Sequence, residues 1–152
     1  MTDQQKDQAL QQMLQDAPVQ KPTPVQKDVE DQKMLRALAQ GTIERVGDFK
    51  NRAKEITGSV RIIQLNGRYV LAFSQDFQVD PAPRTLIILS GHPNPLTGEQ
   101  MYSEATLEVG KLKIVEGAQL YELPTDFRLD KYHSVAIYCQ PLKLLLGVAG
   151  IR

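Results

Sequence analysis

The chain has one cysteine and no tryptophan. A single thiol forms no internal disulfide, so cysteine usage leaves the redox compartment open. An excess of either charge is missing too: 18 basic and 18 acidic side chains cancel to a formal net charge of zero. That excludes the basic footprint expected of a nucleic-acid binder or of a protein drawn to anionic membranes. The four Phe and five Tyr are scattered rather than grouped into a stacking platform. The most apolar stretch, Leu144–Ile151, falls far short of the ~20 residues a membrane span needs. The opening residues, Met1-Thr2-Asp3-Gln4-Gln5-Lys6-Asp7, have neither the basic start nor the apolar run of a secretory leader. Either the chain is cytoplasmic from Met1, or a leader or membrane tether lies outside the given sequence. No CxxC, HxxxH or HExxH spacing occurs, which sets aside a structural zinc site. Neither a Gly-x-Ser-x-Gly elbow nor a phosphate-cradling Gly-rich loop is present.

What is there divides in two. Residues 1–40 hold ten Gln and the remaining 112 hold six. Asp7–Gln15 predicts a short helix with Ala9, Leu10, Met13 and Leu14 on one side. Pro18, Pro22 and Pro24 then favour extended chain. Asp28 is a candidate cap for a second helix running to about Ala39, with Gly41 as its stop. Such polar segments bury too little to fold alone, so residues 1–40 read as a spacer or disordered arm. The sharper alternative is a helix pair that docks on a partner or on the domain itself.

From residue 41 the period becomes two. Ser59–Leu65 meets Arg68–Phe73 across Asn66-Gly67, the strongest short-range signal for a hairpin. Further strands are expected at Leu86–Leu89, Thr106–Val109, Gln119–Leu123, Ser134–Cys139 and Lys143–Ala149, with a loop at Gly91–Gly98. Short strands separated by turn signals predict an all-β domain over 41–152, a single antiparallel β-sandwich or barrel-like fold.

Three stretches in order carry a resemblance: Val109-Gly110-Lys111-Leu112-Lys113, Glu116–Pro124 reading EGAQLYELP, and Tyr132–Cys139 reading YHSVAIYC. They resemble the DM-thirteen domain family, labelled an electron-transfer domain. That family occurs in bacterial exported or lipid-anchored proteins and, in animals, beside DOMON domains in Knickkopf-type proteins. The resemblance extends from about Gly41 to Ile151. It implies an extracytoplasmic, secreted or membrane-anchored, lipoprotein-like setting. It also implies a redox role for Cys139, as a bare thiol or as ligand to a prosthetic group such as haem. Two departures stand out. Ala82-Pro83-Arg84-Thr85 lies where the family has Gly-Pro-Asp-Leu, so an acid has become a base. Tyr138 replaces a frequent Trp.

Alternation puts Val135, Ile137 and Cys139 on one strand face and Ala136, Tyr138 and Gln140 on the other. If the first face is the core, Cys139 is a small buried hydrophobe. Against this, Pro141 should end the strand's pairing or mark an edge, bringing the thiol to the rim within reach of a ligand. Lys143 is the nearest basic residue in sequence. His133 lies six residues before Cys139, about 20 Å along a strand, too far to share a metal. His92 belongs to the proline-rich loop, where solvation is the default. Asp126, Asp130, Glu99, Glu104, Glu108 and Glu122 read as solvated turn or strand carboxylates.

Two functional expectations follow. The first is an exported or membrane-tethered redox domain centred on Cys139, with Tyr138 beside any prosthetic group and a partner protein supplying the second thiol. The second is a non-catalytic binding or adhesion module whose surface ligand meets the His92–Gly98 loop, with Cys139 as packing. Neither is a conventional enzyme, and neither involves nucleic acid.

Overall fold

The computed structural model describes residues 22–152, so the expected helix at Asp7–Gln15 lies outside it. Helix α1 spans Pro24–Gln40 and begins five residues earlier than a cap at Asp28 implied. Thr23 caps it: its hydroxyl accepts from the Gln26 amide while the Gln26 side chain accepts from the Thr23 amide. Pro24 therefore starts the helix instead of prolonging an extended chain, because a first-turn residue has no amide bond to lose. Gly41 ends it as expected.

Ten strands follow: β1 Thr42–Asn51, β2 Ile56–Thr57, β3 Ser59–Leu65, β4 Arg68–Phe73, β5 Gln78–Val79, β6 Thr85–Ser90, β7 Thr106–Lys111, β8 Gln119–Glu122, β9 Ser134–Cys139 and β10 Leu144–Gly150. A short helix α2, Gly98–Tyr102, lies between β6 and β7. Eight strands form one antiparallel sheet in the order β7-β6-β9-β10-β1-β3-β4-β8, nearly closed into a barrel, while β2 and β5 pair separately. The β3–β4 turn has Asn66 at φ 53° and Gly67 at φ 77°, the positive angles a type I′ turn requires.

Each face of the sheet is covered differently. Inward residues form the main core, centred on Phe49, Phe73 and Phe77, whose ring centroids lie 4.7 to 5.4 Å apart. Outside, Met34 and Ala37 of α1 pack on Ile63, Val70 and Ala72 of β3 and β4. Met101 of α2 packs on Leu86, Ile88, Ala136 and Tyr138 of β6 and β9. The second half of the polar N-terminal segment is thus a docked helix. Strands β6 and β9 are buried on both faces, which explains their unbroken apolar sequence.

Candidate functional site

Cys139 is the last residue of β9, between Thr85 of β6 and Leu144 of β10. Its side chain turns inward with Val135 and Ile137, and its exposure is 0%. Pro141 falls in the Gln140–Lys143 turn, closed by a bond from the Lys143 amide to the Gln140 carbonyl. It ends the strand without making β9 an edge, and the expected accessible rim position is corrected to a buried one. The physical reason is a neighbouring segment. Ala82–Thr85 crosses the end of β9, and the Cys139 thiol donates to the Pro83 carbonyl at 3.0 Å. The Gln140 amide binds the Arg84 carbonyl at 3.3 Å.

That segment is anchored at its ends, where Ala82 and Thr85 are buried, and open in its middle. Thr85 Oγ1 donates to the Ala82 carbonyl at 3.0 Å. Pro83 is half-buried and Arg84 is exposed. Arg84 stands at φ 43°, in the left-handed region that L side chains avoid. Sequence reasoning singled out this stretch only as a departure from a motif. Its contact with the thiol needed the fold.

The remaining candidates do not converge on Cys139. Tyr138 points to the opposite face and meets Tyr102 edge-on, centroids 5.7 Å apart. Its Cε2 would lie 2.9 Å from a Cβ added at Gly98. His133 precedes β9, at the strand's far end from Cys139. His92 Nδ1 accepts from the Asn94 amide at 3.1 Å. The six acidic candidates are exposed, and Glu122 pairs with Arg68 at 3.8 Å across the surface. Among the described residues no cluster of His, Cys, Asp and Glu is arranged to hold a metal.

The His92–Gly98 loop is built rather than loose. Arg52 donates to the Pro95 carbonyl at 2.9 Å and to Asn94 Oδ1 at 2.6 Å. Ser134 Oγ holds the His92 carbonyl at 2.7 Å. A second ordered polar site, not expected from the sequence, lies at the edge strand β8. Tyr121 donates to Gln119 Oε1 and accepts from the Lys113 amide at 2.8 Å. Burial raises its phenol well above the ordinary value of 10.0.

Comparison with known families matches residues 48–151 to the model described as Electron transfer DM13. The chain belongs to this family. No curated protein and no solved structure matches it. The match to the electron-transfer DM13 family runs from the last four residues of β1 through β10 and includes Cys139 and the segment above it. A haem held by the Cys139 thiolate does not fit the arrangement found. The thiol sits within the packed core, and neither Cys139 nor Tyr138 lines the cleft over Val46 and Asp48, the one at Phe127 and Tyr132 or the one beside Met34 and Leu38. Among the described residues, no helix is long and apolar enough to cross a membrane.

Proposed function

We propose that this DM13 domain transfers electrons through Cys139 as a bare thiol, and that the Ala82–Thr85 segment gates access to it. The observation that carries this reading is the thiol's cover. Sγ lies against the Pro83 carbonyl, beside an exposed, left-handed Arg84, with buried Ala82 and Thr85 at the two ends of the segment. Lifting Pro83 and Arg84 between those anchors breaks the bond to sulfur and the Gln140–Arg84 bond, less than unfolding the barrel. The chemistry is exchange with a disulfide on a partner protein. Cys139 sulfur attacks one partner sulfur, the partner's S–S bond breaks, and the released thiolate takes up the proton lost by Cys139. The partner's disulfide is reduced to one free thiol and one mixed disulfide with Cys139.

The setting proposed for this exchange is extracytoplasmic, with the domain secreted or tethered to a membrane. Support comes from the family resemblance in the sequence and from the polar segment ahead of α1. Incubating the folded protein with glutathione disulfide tests the chemistry. A single adduct on Cys139, read by mass spectrometry under native conditions, is the expected result. Adduct formation only in denaturant would remove the bare-thiol role.

A second reading rests on the same burial. A thiol at 0% exposure is also what a packing residue looks like. The domain would then be a binding module acting through the pinned His92–Gly98 loop, and Cys139→Ala would leave that binding unchanged.

A further inference from the structure

The two outer covers of the barrel leave a gap. Helix α1 lies over β3, β4 and β8, while α2 and its flanking loop lie over β6, β9 and β10. Between them the outward side chains of β1, namely Val46, Asp48 and Lys50, form the floor of an open trough. Arg61 is the β3 register partner of Val46. On the other side, Arg152 exchanges both backbone bonds with Val46, at 3.0 and 3.1 Å. Two arginines therefore flank one valine in a row, one from β3 and one two residues past the end of β10, their Cα atoms roughly 10 Å apart. Lys50 sits about 13 Å further along β1. Asn94 and His133 rise from the loop side.

The charges of this trough are unspent. Four ion pairs occur among the described residues, and none involves Lys50, Arg61, Arg152 or Asp48. Nor does any of these four side chains make a hydrogen bond among the described residues. Arg61 is half-buried all the same. A guanidinium with no acceptor among the described residues has its fork free for the oxygens of a ligand. Asp48 is the one acid in the lining, and Asp76, beyond Arg61, is engaged by Ser74 Oγ at 2.5 Å. Three cationic side chains thus face one acidic side chain in the trough lining, on a protein of zero net charge. No Phe, Tyr or Trp ring lines the trough, so it has no broad stacking platform for a sugar or a base.

We propose that this trough is a binding site for a small multivalent oxyanion, held between Arg61 and Arg152 with Lys50 at its open end. The fork of a guanidinium matches phosphate and carboxylate oxygens equally well. The separation of the two arginines selects an anion with charges on more than one centre.

Calorimetric titration with inorganic tripolyphosphate, with citrate and with acetate tests this on the full chain at low salt. Saturable one-to-one binding of tripolyphosphate or citrate, but not of acetate, is expected. The better of the two identifies the phosphate or the carboxylate source. Arg61→Gln and Arg152→Gln should each weaken that binding at least tenfold, while Lys111→Gln, on the distant β7, leaves it unchanged. Amide shifts on titration should centre on β1, β3 and β10, a readout that does not depend on any variant folding. Equal affinity in the Arg61→Gln protein, or shifts centred elsewhere, would overturn the assignment.

Discussion

Arg84 holds φ at 43° with its side chain exposed and in no hydrogen bond or ion pair among the described residues, so only its backbone bond to Gln140 offsets the strain. A left-handed L-residue costs roughly 1–2 kcal/mol, and Asn and Asp bear it best because their short polar side chains bond locally. The aspartate that the family resemblance leads one to expect at this position has a conformational reason to be there, independent of its charge. Arg84→Asn is therefore expected to raise stability by about 0.5–1 kcal/mol, read as a higher urea midpoint at unchanged slope. A lower midpoint would mean that the arginine makes interactions the strain argument omits. Tyr121 makes a second prediction. Its phenol is buried and its ionisation pushed upward, so above pH ~10 the unfolded chain loses this proton while the folded chain keeps it. Stability falls as pH climbs through that range, by up to about 1.4 kcal/mol per unit. Tyr102, raised in the same direction but more exposed, adds a smaller effect of the same sign. Tyr121→Phe should flatten the alkaline decline in a set of urea melts from pH 9 to 11, at a cost near neutrality from leaving Gln119 and the Lys113 amide unpaired. An unchanged slope would place the alkaline sensitivity elsewhere.

Helix α1 shows what an element's sequence reveals and what it hides. Its polarity suggested a spacer, because Val25, Val29 and Leu35 remain exposed and only Met34 and Ala37 are fully buried. The docking face is too narrow to stand out in an amphipathic pattern. Salt bridges Lys27–Glu116 at 3.2 Å and Lys113–Glu30 at 3.9 Å lie at its border, where such pairs contribute little. Met34→Ala, which loses ~2 kcal/mol or more of packing, should speed hydrogen exchange in α1 by tenfold or more while amides of β6 and β9 keep their protection. Equal loss in the barrel would make helix and sheet one cooperative unit. The hairpin β3–β4 was legible because Asn-Gly dictates its turn, and β9 because Pro141 dictates its end. Strand β1 was not. Phe49 is its only buried residue, and a register shift between Ile43 and Arg45 breaks its alternation.

At the scale of the molecule, strand content and the all-β class were readable from period and turns, while the near-closed sheet order was not. Cys139 and Arg84 are 55 positions apart, and only the β6–β9 pairing brings the Ala82–Thr85 segment over the thiol. The trough has the same origin: Arg61, Lys50 and Arg152 are unremarkable singly and acquire meaning where β3, β1 and β10 lie side by side. The central claim is that a local opening, separate from unfolding of the barrel, uncovers the thiol in this electron-transfer domain. The rate at which a thiol reagent labels Cys139, followed from zero urea through the unfolding transition, tests it directly. Slow labelling that stays flat at low urea and steepens only near the transition is predicted, because a local opening exposes little surface. A rate that climbs with the full unfolding slope from the first increment of urea would contradict it, and would leave Cys139 as part of the packing.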